Sequence, residues 1–194
     1  MKLSYPLDEV HVNQAFGANA AYYKQNFGTE GHMGIDFRAP HGTPVKAAHD
    51  GFAFYVGPDS YGGDGVYIRA QDTDGSWYTT IYWHLIGKGD PLQPIVANAG
   101  ANVKAGDTIG YADNTGAPFE SSGDHLHFGL ARCDENGEFL NKDNGFNGCI
   151  DPAPYLESLS ASDQIAVLAA RLQAQGKDVH ILFALVKFLQ AFGK

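Results

Sequence analysis

Between about residue 43 and residue 132 the chain alternates short apolar runs with turn residues. Runs rich in β-branched and aromatic side chains are typical of β-strands, and an Asp-Thr-Asp-Gly hairpin signal at residues 72–75 separates two of them. The segments with this character are TPVKAA, GFAFYVG, GVYIRAQ, SWYTTIYWHL, DTIGYA and HLHFGLAR. The pattern therefore predicts a mainly β domain. The opening segment FGANAAYYKQNFGTEG lacks periodicity and is expected to form a long loop over the sheet.

The pattern becomes helical after residue 157. Apolar residues recur at steps of three and four in residues 162–175 and again in residues 178–192, which predicts two helices. We therefore expect two domains, a β domain at 1–157 and a C-terminal α-helical hairpin at 158–194. The apolar faces of the hairpin favour packing on the sheet or a homo-oligomer contact.

The composition excludes several classes of protein. The chain has 44% hydrophobic and 18% charged residues, enough to bury a core, and its 24 glycines favour many turns. The formal net charge is −9 and no Lys and Arg residues cluster, which argues against nucleic-acid binding. No apolar stretch reaches the roughly 18 residues of a membrane span, and the start MKLSYPLDEV lacks the apolar run of a secretion signal.

Two cysteines, Cys133 and Cys149, flank a loop rich in Gly, Asn and Asp. If the protein works outside the cytoplasm, a disulfide between them would stabilise the fold by about 3 kcal/mol. Two reduced thiols are the alternative, and the sequence leaves both open. A nucleophilic role for Cys133 is disfavoured, because the acidic segment RCDENGE raises rather than lowers the pKa of its thiol.

Two spacings among the eight histidines are compatible with a metal site, His32 with Asp36 and His125 with His127. Either spacing alone is weak evidence, because short motifs have a high false-positive rate. His125 and His127 lie two apart in a predicted strand, so both imidazoles project from one face. His32 and Asp36 are too far apart on an extended chain to share an ion, but Gly34 allows a bend. A carboxylate with imidazoles suits zinc, and copper and iron also accept such ligands.

Longer motifs carry a resemblance to a known family. Five motifs follow one another within residues 10–157: GHMGIDFRAPHGTPVKAAHDGFAFYVG, WHL, VKAGDTIGYADNTG, GDHLHFGL and DPAPYL. This series resembles the successive motifs of lysostaphin and LytM-type zinc metallopeptidases, which cut peptides of bacterial peptidoglycan. The resemblance implies a small antiparallel β-sheet or sandwich domain with a groove. It also implies that the chain acts outside the cytoplasm on the cell wall, whether secreted, periplasmic or phage-delivered.

The resemblance also implies roles for individual residues. The metal ligands of the family match His32, Asp36 and His127, and two further histidines of its site match His84 in YWHL and His125 in HLHF. The expected reaction is zinc-assisted hydrolysis of peptide cross-links or bridges, with His84 and His125 as general acid and base. The sequence has no His-Glu-x-x-His motif, so histidine has to replace the glutamate base of other zinc peptidases.

Other residues carry weaker expectations. Asn114 and Tyr61 are candidates for substrate binding, although an Asn before Thr-Gly is commonly a turn residue and strand tyrosines commonly pack. The remaining histidines are expected at the surface or in turns: His11, His41, His49 and His180.

Three alternative interpretations bear on function. The chain would be a non-catalytic module if its groove only bound wall peptides or regulated another hydrolase. A purely structural metal site is disfavoured, because such a site needs four protein ligands. For the C-terminal helices, targeting to a wall or envelope component is the alternative to packing on the sheet.

Overall fold

The computed structural model describes residues 1–96, 98–116 and 123–157. The elements in these ranges are β1 (Val12–Gln14), α1 (Ala20–Phe27), β2 (Ile35–Arg38), β3 (Pro44–Lys46), β4 (Gly51–Asp59), β5 (Gly63–Gln71), β6 (Trp77–Leu85), β7 (Ala101–Val103), β8 (Thr108–Tyr111), β9 (His125–Cys133) and a short 3-10 helix (Ala153–Tyr155). Among these residues, no helix has the length and hydrophobicity of a membrane-spanning segment. The predicted helical hairpin at 158–194 lies outside them, so the division into two domains stays a prediction.

The predicted mainly β fold is confirmed. The six segments predicted as strands coincide with β3, β4, β5, β6, β8 and β9. The sequence interpretation missed three short strands: β1, β2 and β7. The prediction that the opening segment forms one long loop was wrong, since residues 20–27 form α1.

The strands form two antiparallel sheets around one core. The larger sheet has seven strands in the order β1-β2-β9-β6-β5-β4-β7, and the smaller one pairs β3 with β8. Val45 of β3 and Ile109 of β8 belong to the same buried hydrophobic cluster as Ile68, Tyr82 and Phe128 of the larger sheet. The core therefore lies between one face of the larger sheet and the smaller sheet.

The side chains at the start of strand β9 alternate between this core and the opposite face of the sheet. Leu126, Phe128 and Leu130 are fully buried in the core. Because side chains alternate along a strand, His125 and His127 project from the other face. The predicted pair of imidazoles therefore faces away from the core and toward a surface that a ligand can reach.

Of the histidines expected at the surface or in turns, His11 and His41 are exposed, whereas His49 lies in the bend before β4 and is buried. The His49 Nε2 atom is 2.8 Å from the Thr80 hydroxyl, and Nδ1 is 2.8 Å from the Asp50 carbonyl oxygen. Burial lowers the pKa of His49, so the ring stays neutral in the core. A neutral imidazole with partners for both nitrogens is stable there. His180 lies outside the described residues.

Candidate active site

Pairing between β2 and β9 builds the centre of the candidate site. The strands are antiparallel and Asp36 lies directly opposite His127, so both side chains project from the same face. The Nδ1 atom of His127 is 3.1 Å from Oδ1 of Asp36. His32 stands just before β2, and its Nε2 atom is 3.1 Å from Asp36 Oδ1 and 2.9 Å from His127 Nδ1. The structure thus brings together the three residues that the sequence suggested as metal ligands.

The donor atoms of these three residues fit a zinc ion. The two imidazole nitrogens and the carboxylate oxygen lie within 4.8 Å of one another. Zinc is bound at about 2.0–2.2 Å by such atoms, and tetrahedral ligands are then roughly 3.3 Å apart, close to the observed separations. The Nδ1 atom of His32 is 3.3 Å from the Ala15 carbonyl oxygen, to which it can donate. That contact leaves the lone pair of Nε2 for a metal.

Burial and hydrogen bonds set charge states that suit a metal. Burial alone raises the pKa of the Asp36 carboxyl, but the close imidazoles of His127 and His32 outweigh it and hold this pKa below its ordinary value. Burial also lowers the pKa of the His127 imidazole, which disfavours its charged form. An ionised carboxylate and a neutral imidazole are the forms that coordinate a metal.

Gly34 leaves the space that the His127 ring occupies. A Cβ atom at position 34 would lie 2.7 Å from Nε2 of His127 and 2.6 Å from the carbonyl oxygen of Phe128. Both distances are well below ordinary van der Waals contact. Any side chain at this position would therefore displace the ring or the backbone of β9.

Gly34→Ala is expected to lower zinc affinity roughly ten-fold, because overpacking of this kind costs about 1–3 kcal/mol. Competition titration against a zinc chelator measures the effect. Gly129→Ala is the matched control on β9, since its added Cβ approaches no heavy atom closer than the two Ile81 side-chain atoms at 3.2 Å. We expect the control to keep wild-type affinity. Equal affinities for both variants would contradict the role given to Gly34.

His125 lies on β9, on the same face of the sheet as His127. Its Nδ1 atom is 2.8 Å from the carbonyl oxygen of Gly123, so Nδ1 donates a proton to that oxygen. Its Nε2 atom is 3.7 Å from Asp36 Oδ1. His125 therefore lies beside the three-residue cluster with Nε2 directed toward it.

A β-bulge near the end of β6 turns His84 toward the same place. Trp83 and His84 lie opposite the single residue Gly65 of β5. His84 has a φ of 62°, a left-handed conformation that non-glycine residues seldom adopt and that is frequent at functional sites. Its ring centroid is 4.5 Å from that of His125 and 6.2 Å from that of His127. Burial, together with the neighbouring histidines, lowers the pKa of His84 to about 3.

An open cleft reaches this group of residues. A pocket of about 40 Å³ is bounded by all five predicted site residues together with Tyr23 and Met33, which is enough space for water. A larger cleft of about 530 Å³ adjoins it and shares His84 and His127. Its other lining residues are mainly aromatic or apolar: Tyr23, Asn26, Phe27, Met33, Asp59, Tyr61, Gly62, Tyr67, Ile81, Trp83, Phe139, Asn147 and Cys149.

The two candidates for substrate binding are placed differently. Tyr61 is exposed and lines the larger cleft, where its ring contacts Phe27 with centroids 5.7 Å apart. Asn114 lines neither of these pockets, and its Oδ1 atom is buried without a hydrogen-bond partner among the described residues. Tyr23 was missed by the sequence interpretation. It lines both pockets, and its ring centroid is 5.4 Å from that of His32.

The structure has free thiols at both cysteines. Cys133 and Cys149 are buried and are not bonded to each other. Burial raises the pKa of Cys133 and raises that of Cys149 to about 12. A thiol in this state is protonated at neutral pH and is a poor nucleophile. The interpretation that disfavoured a cysteine nucleophile therefore agrees with the structure.

An open cleft above two imidazoles and a carboxylate defines a candidate site for a metal-dependent hydrolase. Comparison with known families agrees with this class, since the family described as Peptidase family M23 matches residues 30–142. This match spans more than half of the chain, so the chain belongs to Peptidase family M23.

Two relatives of known name are endopeptidases. Peptidoglycan DD-endopeptidase ShyC of Vibrio cholerae is 38% identical over 97 residues, which cover 50% of this chain and 19% of the relative. Glycyl-glycine endopeptidase ALE-1 of Staphylococcus capitis is 34% identical over 130 residues, covering 66% of this chain and 29% of the relative. The chain therefore spans less than a third of the length of either relative.

Solved structures share the fold. The catalytic domain of lysostaphin from Staphylococcus simulans superposes with a TM-score of 0.53 at 26% identity, covering 75% of this chain and 91% of that domain. A zinc-containing peptidase from Vibrio cholerae superposes with a TM-score of 0.54 at 27% identity, covering 78% of this chain and 39% of that protein.

Proposed function

We propose that this chain is a zinc-dependent endopeptidase that hydrolyses peptide cross-links or bridges of bacterial peptidoglycan. The observation that carries the proposal is the convergence of His32 Nε2, Asp36 Oδ1 and His127 Nδ1, each within 3.1 Å of the other two, beside an open cleft. Membership of Peptidase family M23 and similarity to two endopeptidases support a peptidase reaction, and the name of the relative from Vibrio cholerae supports peptidoglycan as the substrate.

His32, Asp36 and His127 would hold the zinc ion. Three protein ligands are the usual number in a catalytic zinc site, where one coordination position is left for water or substrate. With zinc held by these residues, a water in the open position would have a pKa of about 7 and the scissile carbonyl would be polarised. The zinc-containing peptidase of similar fold supports zinc over copper or iron.

His84 and His125 act as the general acid–base pair. Each ring donates from Nδ1 to a backbone carbonyl oxygen, that of Thr115 for His84 and that of Gly123 for His125. A neutral imidazole has one N–H, so the lone pair of each neutral ring is on Nε2. One Nε2 atom accepts the proton of the attacking water, and a protonated ring then stabilises the oxyanion or donates to the leaving amine.

The cleft provides the binding surface for the peptide. Its volume of about 530 Å³ lies in the range of ordinary ligand sites, and it contacts His84 and His127 directly. Tyr61 and Tyr23 line this cleft and are the side chains that we assign to substrate contact. The substrate places the site of action on the cell wall, outside the cytoplasm.

Chelation is expected to abolish hydrolysis. Purified peptidoglycan is incubated with the full chain, and new amino termini are counted before chelation, after it and after zinc is restored. We expect release to stop with the chelator and to return with zinc, because the three ligands alone cannot activate water. Peptidoglycan that is bound without release of any amino terminus, with or without zinc, would instead support the non-catalytic module.

A further inference from the structure

Thr115 lies where three segments of the chain meet. These segments are the β4–β5 hairpin, the end of β6 and the turn at residues 113–116. The Thr115 hydroxyl donates to the carbonyl oxygen of Leu85 at 2.8 Å, and it accepts from the backbone N–H of Asp64 at 3.0 Å. The hydroxyl therefore ties the turn to β5 and to β6 at once.

The main-chain carbonyl of the same residue contacts the proposed acid–base histidine. The Thr115 carbonyl oxygen is 2.7 Å from Nδ1 of His84. A carbonyl oxygen can only accept, so Nδ1 must carry the ring proton whenever this bond forms. The neutral ring then has its lone pair on Nε2. The position of one carbonyl oxygen thus determines which tautomer of His84 is present.

The backbone of His84 is itself held from two sides. Its N–H donates to the carbonyl oxygen of Gly62 at 3.0 Å, and its carbonyl oxygen accepts from the N–H of Asp113 at 2.8 Å. These bonds hold a residue whose φ of 62° is unfavourable for an L-amino acid. With the backbone fixed, rotation of the ring is the remaining freedom, and the bond to Thr115 restrains it.

Tight packing keeps the turn in register with the hairpin. A Cβ atom at Gly63 would lie 2.3 Å from the carbonyl carbon of Thr115, and one at Gly116 would lie 2.3 Å from the carbonyl oxygen of Tyr61. The hairpin also contributes Asp59, Tyr61 and Gly62 to the lining of the larger cleft. The bonds of the Thr115 hydroxyl therefore connect a wall of the cleft with the ring of His84.

We propose that Thr115 is a positioning residue, whose hydroxyl fixes the carbonyl that holds His84 in the tautomer with a free Nε2. The proposal rests on the proposed function for the role of His84 in turnover, but the tautomer is a property of the folded chain. Loss of the hydroxyl frees the turn to shift, and the ring then loses its fixed acceptor. Groups that orient a functional histidine typically contribute about 10- to 100-fold in activity.

The test compares Thr115→Val with Thr115→Ser. Valine has nearly the shape of threonine but can neither donate to Leu85 nor accept from Asp64, whereas serine keeps both bonds. The imidazole ¹⁵N chemical shifts of the zinc-loaded full chain report the tautomer of His84, and its signals are assigned by their loss in His84→Asn. The same proteins are measured for kcat, KM, bound zinc and thermal unfolding. Thr43→Val is the control, because it removes a comparable bond from a hydroxyl to the Pro40 carbonyl oxygen.

We expect wild type, Thr115→Ser and Thr43→Val to show the Nδ1–H tautomer of His84. Thr115→Val is expected to show a mixture of tautomers and a kcat at least ten-fold lower, with KM and bound zinc within two-fold of wild type. An unchanged His84 tautomer in Thr115→Val would overturn the proposal, and so would a loss of kcat that only follows a loss of zinc. If the valine variant does not fold, Thr115→Ala is judged by the same criteria. A chain that cleaves no peptide but shifts its tautomer in this way would refute the proposed function and leave this inference standing.

Discussion

Replacing His127 with alanine is expected to remove both the bound zinc and the hydrolysis of peptidoglycan. The substitution takes away one of three donor atoms that lie within 3.1 Å of one another and leaves the Asp36 carboxylate without one of its two imidazole partners. Loss of a group that merely orients a metal ligand already lowers affinity or activity by about 10- to 100-fold. Loss of the ligand itself is therefore expected to lower activity more than 100-fold.

Zinc stoichiometry and the release of amino termini measure this effect. Zinc raises the thermal unfolding temperature of a protein that binds it in the folded state, so wild type is expected to show this shift and His127→Ala to lack it. His11→Ala is the control, because His11 is an exposed histidine. A His127→Ala protein that retains one equivalent of zinc and wild-type turnover would contradict the ligand assignment.

Replacing His84 with alanine is expected to separate the two effects, with zinc retained and turnover lost. His84 lies beside the cluster, and its ring centroid is 6.2 Å from that of His127, so its removal leaves all three donor atoms in place. Removing a general acid or base typically lowers the rate by about 10²- to 10⁴-fold, and we expect kcat to fall within that range.

The unusual backbone of His84 requires a companion variant. Alanine is disfavoured at a φ of 62°, whereas asparagine tolerates this conformation better. His84→Asn is therefore expected to match His84→Ala in zinc content and kcat, with less effect on thermal unfolding. If His84→Ala and His84→Asn lose zinc while His127→Ala keeps it, the roles of ligand and acid–base residue are reversed.

The sequence predicted the strands that bury a long apolar face. Strand β9 is the clearest case, since Leu126, Phe128 and Leu130 alternate with polar or small residues and are fully buried. Alternation over eight residues is a strong signal. The four residues of β2 also alternate, with Ile35 and Phe37 buried, but four residues are too few for the alternation to stand out, and so the strand that carries Asp36 was missed.

The residues of the candidate site could be predicted from the sequence, but their arrangement in space could not. Ordered motifs indicated all five residues, yet nothing in the letters YWHL reveals the bulge that turns His84 toward His125. Nor does the spacing of His32 and Asp36 show how they meet, because β2 begins between them. Conformation at such points depends on pairing with distant strands, which local patterns do not contain.

Thr115 and His49 show why some interactions could not be predicted from the sequence. Thr115 contacts His84 through its main-chain carbonyl, and a carbonyl has no residue-type signature. His49 was expected at the surface or in a turn, and it lies in the bend before β4 but is buried. Its burial depends on Thr80 of β6, which is 31 residues away in the sequence. Long-range hydrogen bonds of this kind decide whether a polar side chain is stable in the core.

Anomalous diffraction at the zinc edge, from crystals of the zinc-loaded full chain, tests the central claim most directly. We predict one zinc ion bonded to His32 Nε2, Asp36 Oδ1 and His127 Nδ1 at about 2.0–2.2 Å, with an open position facing the cleft and with His84 and His125 outside bonding distance. A zinc ion held by other residues, or one closed off by a fourth protein ligand, would contradict the account.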